Sequence, residues 1–339
     1  MRRLTHSASY CRALAVIGCV LAAGCSLVRP GMDTQQVAAT PHLHLERTVD
    51  GLLIADDFAK PVSARDLQDT YEFNGDADPS RAYVRAPGHG LRVGVRRHRG
   101  STFRGWFAVT LAAFPASGVY HVHMARPRGN VTGAGREAET VFAVQTASTK
   151  VTGLINFIEV SSDSDSGTTA WQVDYAHGHI ANSNNRLYWR SPQSSHAATS
   201  KDITIRTDGH HQLTVWFGDR VVFRSNDLKM RIQPPFQPYL EVQAQRVAYV
   251  STFTDFWATK SSAITLTGLR AGTHVALRTP DGVTIATARA SSSGVATVRL
   301  PPPRARGRAS VVLTSPGGSP VVRGPFDYAG GDRYRVTRP

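Results

Sequence analysis

Between Trp171 and His179 the chain alternates aromatic and imidazole groups with smaller residues. In an extended strand Trp171, Val173, Tyr175, His177 and His179 share one face. Rings and imidazoles side by side suit a sugar, because an aromatic ring lies flat on the C–H face of a pyranose while polar neighbours take its hydroxyls. Tyr188, Trp189 and Arg190 follow closely enough to flank that face. The same spacing has another reading, in which Trp171 and Tyr175 belong to a core and the histidines cover the strand's wet end. Glu159 and Asp174, with Asp163 and Asp165 nearby, are candidates for acid–base work, which in a retaining glycosidase needs two carboxyls about 5–5.5 Å apart. Tyr175 with His177 could instead serve as base and acid. Metal ligation is a third chemistry. His121-x-His123 and His177-x-His179 each set two imidazoles on one strand face, as β-sheet zinc sites do. Asp163-x-Asp165-x-Gly167 resembles the start of a calcium loop, but Thr168 stands where an EF-hand requires glycine, so that motif is excluded.

These residues need strands to position them. From Thr48 to Trp257 short runs of β-branched and aromatic residues alternate with Gly, Ser, Asn, Asp and Pro. They include LRVGV (91–95), GWFAVTLAAF (105–114), VYHVHM (119–124), TVFAVQT (140–146), LINFIEV (154–160), WQVDYAHGHI (171–180), DITIRT (202–207), HQLTVWFG (211–218), RVVFRS (220–225) and YLEVQAQ (239–245). Such spacing predicts many antiparallel strands, and the lack of a long 3.6-residue period predicts few helices. An all-β sandwich or jelly roll follows. Beyond Ser262 the style changes to strict alternation with TPDG and SSSG turn signals and a PPPRARGR loop (301–308).

The order of elements over 47–259 resembles the concanavalin A-like, or laminin-G-like, jelly-roll sandwich. The resemblance rests on LLIADDF (52–58), on HQLTVWFGDRVVFRSNDL (211–228) with a Gly218-Asp219 hairpin, and on a closing YVSTFTDFWAT (249–259). In lectin and glucanase relatives the closing strand pairs near the first, so Asp57-Phe58 and Asp255-Phe256 are expected as matching ends. The glucanases of this fold carry a Glu-x-Asp-x-x-Glu strand. That motif is absent here, since Glu159 is followed by Val160, Ser161, Ser162 and Asp163. The resemblance therefore implies glycan binding without catalysis; its alternatives are an exported glycoside hydrolase or polysaccharide lyase, and a structural or protein-interaction module. It also implies a place for a structural calcium. Residues 262–339 resemble a small immunoglobulin-like β-sandwich, which implies a support for its neighbour or a basic adhesion face through Arg304, Arg306 and Arg308.

The N-terminus reads as an address. Arg2, Arg3 and Arg12 precede an apolar run from Ala13 to Ala23, and Leu21, Ala22, Ala23, Gly24 and Cys25 resemble a bacterial lipoprotein signal. That resemblance implies cleavage of residues 1–24, acylation at Cys25 and attachment to the extracytoplasmic face of a bacterial membrane. Residues 25–46 are polar with Pro30, Gly31 and Pro41, and read as a flexible tether. The three cysteines are Cys11, Cys19 and Cys25, so the mature chain would hold no disulfide. The net charge of +14 would become +11, of which +8 falls in 262–339. Arg outnumbers Lys by 34 to 5, a bias that GC-rich coding explains as well as function does. The functional reading is attraction of the basic module to an anionic surface. Nucleic acid is excluded as a partner, since no helix-turn-helix, zinc-finger or RNP-like pattern occurs.

Overall fold

The structure is a computed structural model that describes residues 44–75, 82–97, 104–110, 118–146, 154–179, 182–196 and 198–337. Cys25, the signal segment and the tether up to Leu43 lie outside these residues. Period-two alternation governs almost everything that is described. The chain opens with β1 (His44–Val49), β2 (Leu52–Asp56) and β3 (Pro61–Val62), then helix α1 (Ala64–Thr70). Ser63 caps α1: its hydroxyl accepts from the Asp66 amide at 3.1 Å and donates to the Asp66 carboxylate at 2.7 Å. Next come β4 (Tyr71–Gly75), β5 (Ala82–Pro87), β6 (Leu91–Val95), β7 (Arg104–Thr110) and β8 (Gly118–Met124). They are followed by β9 (Glu137–Thr146), β10 (Leu154–Asp165), β11 (Thr168–His179), β12 (Asn182–Arg190) and β13 (Lys201–Thr207). β14 (Leu213–Phe217), β15 (Arg220–Ser225), β16 (Phe236–Gln245) and β17 (Tyr249–Thr259) complete the large sandwich. The remainder is β18 (Ala263–Thr267), β19 (His274–Arg278), β20 (Thr284–Arg289), β21 (Ala296–Arg299), β22 (Arg306–Thr314), β23 (Val321–Ala329) and β24 (Arg333–Thr337), with a 3-10 turn at Pro302–Arg304.

Two antiparallel sheets form the large sandwich. The front sheet runs β12-β11-β10-β9-β16-β7-β4, and the back sheet runs β15-β14-β13-β8-β17-β6-β5-β3. Neighbours in these orders are often distant in sequence, as a jelly roll requires. Between the sheets lies one core in which Tyr120, Phe142, Ile158, Val173, Ile203, Leu240, Phe253 and Phe256 are fully buried. The jelly-roll sandwich expected from the strand pattern is the fold observed. The first and last strands meet, although Phe256 faces Asp56 rather than Asp57. β14 and β15 are joined through Gly218 and Asp219, with Gly218 at φ +58°.

Residues beyond Ser262 build a smaller β-sandwich from the sheets β1-β24-β18-β21 and β20-β19-β22-β23. Its core packs Ile264, Leu266, Val275, Leu277, Val298, Val311 and Tyr334. Its edge strand β1 comes from the start of the chain, so His44, Leu45 and Glu46 are strand residues and not the end of a tether. Leu45 turns inward against this core, which gives the segment a reason to pair. The buried Asp332 carboxylate joins the two sandwiches: it accepts from the amides of Gly51 at 2.7 Å and Ala329 at 2.9 Å and from the Tyr334 hydroxyl at 2.6 Å. Chains pass so closely here that a Cβ on Gly51 would lie 2.4 Å from the Gly330 carbonyl oxygen.

Candidate functional site

The strand β11 presents its two faces in the order opposite to the sugar-stacking expectation. Trp171, Val173 and Tyr175 enter the core, where Trp171 packs edge-on to Phe217 with centroids 5.1 Å apart. The Tyr175 hydroxyl donates to Asn156 and accepts from the Arg231 amide, both at 2.8 Å. A ring so enclosed has no face left for a ligand. Tyr188 and Trp189 are half-buried against the same core: Tyr188 stacks between Tyr175 and Phe223, and Trp189 meets Phe217. These aromatics close the edge of the sandwich where β12 approaches β14 and β15. His177 hydrogen-bonds the Asn184 carbonyl at 3.0 Å, and its ring centroid is 5.2 Å from that of Tyr175, so the pair is joined to its own strand neighbours. His179 ends β11, and its side chain lies outside the described residues.

The outward residues of the front sheet form a different group. Glu159 on β10 faces Asp174 on β11 and Ala143 on β9, and Ala143 in turn faces Tyr239 on β16. Two residues along, Ser161 faces Gln172 and Val141, and Val141 faces Glu241. In the next row Asp163 faces Glu139, which faces Gln243. Directly opposed residues carry Cβ atoms about 4.5–5.5 Å apart, so the carboxyls of Glu159 and Asp174 are close neighbours. On the side of Glu159 away from Asp174 the sheet is apolar, with Val141, Ala143 and Tyr239 buried and Phe157 edge-on to Tyr239 at 5.8 Å.

This face holds its carboxyls far from their ordinary behaviour. Burial raises Glu159 most, and the surrounding Glu139, Glu241, Asp174 and Asp163 add to the rise. Burial pushes Glu241 up to about 8, with Glu139 adding and a hydrogen bond from Gln243 opposing. Glu139 is pushed up to about 7 by burial, against a hydrogen bond from Ser161 and with help from Asp163 and Asp174. Asp174 rises to about 6, chiefly by burial, although Arg190 pulls it down. Arg190 is 3.6 Å from Asp163, which also accepts from Gln172 at 3.0 Å. Carboxyls poised across neutral pH give and take protons there more readily than solvated carboxylates do.

Of the residues singled out from the sequence, the structure brings Glu159, Asp174, Asp163 and Arg190 together here. It adds Glu139 and Glu241, which the sequence reading missed. The available signal was period two: Glu241 alternates with Tyr239 and Gln243, and Glu139 shares a face with Val141 and Ala143.

The metal-ligand expectations meet a different geometry. Asp165 closes the β10–β11 hairpin, whose turn residues Ser166 and Gly167 both have positive φ, and it accepts from the Ser166 hydroxyl at 2.7 Å. The Asp163-x-Asp165 pair is thus a strand end and not a calcium loop. His121 and His123 lie on the outer face of the back sheet, while His177 is on the front sheet. His121 bonds Thr204 at 2.9 Å and stacks on Trp257 at 4.7 Å, and His123 bonds Asp202 at 2.6 Å. Among the described residues no three His, Cys, Asp or Glu groups converge as a metal site.

The outer face of the back sheet is a docking surface for the small sandwich. A β-bulge between Thr254 and Trp257 sets Asp255 at φ +46° and aims its carboxylate outward, 3.6 Å from His121 and 3.3 Å from Arg306. Arg304 pairs with Asp219 at 3.0 Å. Ala305 is buried between them against Val119 and Trp257. Two of the three arginines expected on an adhesion face are therefore paired with acids of the large sandwich, and only Arg308 stays without such a pair among the described residues.

No known family's sequence pattern matches the chain, and no curated protein matches it in sequence. Solved structures resemble its shape at low identity. β-Agarase A in complex with oligoagarose is 5% identical with a TM-score of 0.43, covering 66% of this chain and 98% of its own. The Bacillus licheniformis β-glucanase is 8% identical with a TM-score of 0.40, covering 63% and 99%. The carbohydrate recognition domain of Emp46p in its potassium-bound form is 9% identical, also with a TM-score of 0.40, covering 60% and 96%.

Proposed function

We propose that this is an exported lipoprotein, acylated at Cys25, whose large sandwich binds a glycan on the outer face of the front sheet. The observation that carries the binding is a floor whose part-exposed ring is Phe157, packed on the buried Val141, Ala143 and Tyr239, among carboxyl and amide groups (Glu159, Asp174, Glu241, Gln172, Gln243). A sugar presents that combination in reverse, with C–H faces for the floor and hydroxyls for the polar groups. The small sandwich, paired through Arg304 and Arg306, serves as a rigid support. For the anchor, the support is the arrangement of Arg2, Arg3, Arg12, the apolar run and Cys25.

One observation favours a second reading, glycan hydrolysis or lysis on the same face. Glu159 is held well above its ordinary value while its cross-strand neighbour Asp174 is pushed up to about 6, which is the kind of split that separates a general acid from a general base. A polysaccharide array scored both for retention and for reducing ends or unsaturated products separates the two. Retention without products supports binding alone, products support the enzyme, and neither outcome on any glycan defeats both. For the anchor, Cys25→Ala is expected to abolish the membrane attachment that only detergent releases, leaving at most a salt-sensitive one; detergent-dependent fractionation of that variant would refute acylation.

A further inference from the structure

The sheet β1-β24-β18-β21 of the small sandwich turns one side to its own core and the other outward. Tyr334, Val336, Ile264, Leu266, Ala296 and Val298 point inward. The alternate positions are Arg333 and Arg335 on β24, Arg299 and Thr297 on β21, Thr265 and Thr267 on β18, and Glu46 on β1. The register gathers them: Arg335 stands between Glu46 and Thr267, and Arg333 stands next to Thr265, which faces Thr297. All three arginines are exposed, and among the described residues none forms an ion pair. Arg304 and Arg306 are committed to Asp219 and Asp255, so they are not part of this charge. The result is a threonine-floored face with three arginines against one glutamate.

Its position adds a second observation. β1 is the first described strand and lies at the edge of this same sheet. Only the residues from Ser26 to Leu43 separate it from Cys25, a length that spans at most about 60 Å even if fully extended. The chain thus connects its own start to the face whose charge is unpaired, although most of that face is built from the chain's far end. A short linker also raises the local concentration of whatever holds its other end to about the millimolar range, so a weak patch is sufficient.

We propose that this arginine face docks on an anionic phospholipid bilayer, the one to which the chain is held. The idea rests on the proposed acylation at Cys25 for its setting, but not for its measurement. Once the face is docked, the small sandwich lies next to the lipid and the large sandwich is carried on it.

The test uses the full chain carrying Cys25→Ala, which cannot be acylated, with vesicles of phosphatidylcholine alone or mixed with phosphatidylglycerol. Preferential sedimentation with the anionic vesicles, weakened at high salt, is the expected result. Adding Arg299→Gln, Arg333→Gln and Arg335→Gln weakens it about a hundredfold, since each basic residue near such a surface contributes about fivefold. Arg278→Gln, Arg289→Gln and Arg308→Gln remove the same charge from other strands of the module and leave the preference in place. Equal loss in both triple variants would show a response to net charge alone and overturn the proposal, as would equal sedimentation with both vesicle types. So would equally tight capture by a soluble anionic polymer at the same ionic strength, which would name a polymer as the partner. Because the assay omits the acyl group, its failure is separate from failure of the anchor, which the fractionation of Cys25→Ala reads by itself.

Discussion

Both outer faces of the large sandwich carry ionisable side chains, and they treat them in opposite ways. On the back sheet the charges at the joint are paired: Asp255 with Arg306, Asp219 with Arg304, and beside them His123 with Asp202. On the front sheet Glu139, Glu159 and Glu241 crowd one another, and among the described residues of that face only Arg190 and Asp163 form an ion pair. Pairing stabilises a charge, whereas crowding like charges in a half-buried place costs stability. An arrangement that costs stability and is not needed to hold modules together is where function is expected. The comparison therefore points to the front sheet as the working surface and to the back sheet as the scaffold.

The largest expected effect falls on the scaffold side. Trp257→Ala removes the ring that stacks on His121 and supports Ala305, and should lower stability by about 3–4 kcal/mol in a urea titration. An unchanged midpoint would break the view of this face as a structural joint. On the working side, Phe157→Ala should weaken retention on any glycan bound by the parent about tenfold, with a much smaller change in unfolding. Trp171→Ala is the contrasting variant: its ring lies in the core, so it should lower stability rather than retention selectively. Equal effects of the two on retention per folded molecule would erase the distinction between the faces of β11.

Smaller effects sharpen the electrostatic contrast. The folded state raises Glu139 and Glu241 from 4.5 to about 7 and about 8, so the stability tied to their protons is present at low pH and is lost as pH rises through those values. Replacing both with Gln should therefore raise stability at alkaline pH and leave it nearly unchanged near pH 4.5. His121 runs the other way, since burial lowers it from 6.5 to about 4 and stability is lost as pH falls across that interval. His121→Gln should flatten that acid limb in thermal melts; a slope identical to the parent's would remove His121 from the account. The smallest change is Arg306→Gln, an exposed pair with Asp255, at about 0.5 kcal/mol and less in high salt.

Much of the fold is legible along the chain. LRVGV and RVVFRS coincide with β6 and β15, and the Gly218-Asp219 turn joins the strands that it was expected to join. Alternation is a local property, so it survives without knowledge of the rest. It states which residues share a face and not which face is inside, and for this reason Trp171 and Tyr175 pass equally well for ligand platform and for core. Glu139 and Glu241 illustrate the other limit, because they become neighbours only through the pairing of β9 with β16, strands about a hundred residues apart. Arg304 and Arg306 look like free charge until Asp219 and Asp255 are placed beside them.

By itself, then, the sequence determined the all-β character, the positions of most strands and turns, and the concentration of basic charge in the last quarter. Those depend on period, composition and turn chemistry, which act over a few residues. Tertiary structure decided which side of β11 faces solvent, which carboxyls crowd together, which arginines are consumed in the joint, and that β1 completes a sheet with β24 from the far end of the chain. Each of those depends on register between distant strands, where a shift of one residue exchanges the two faces.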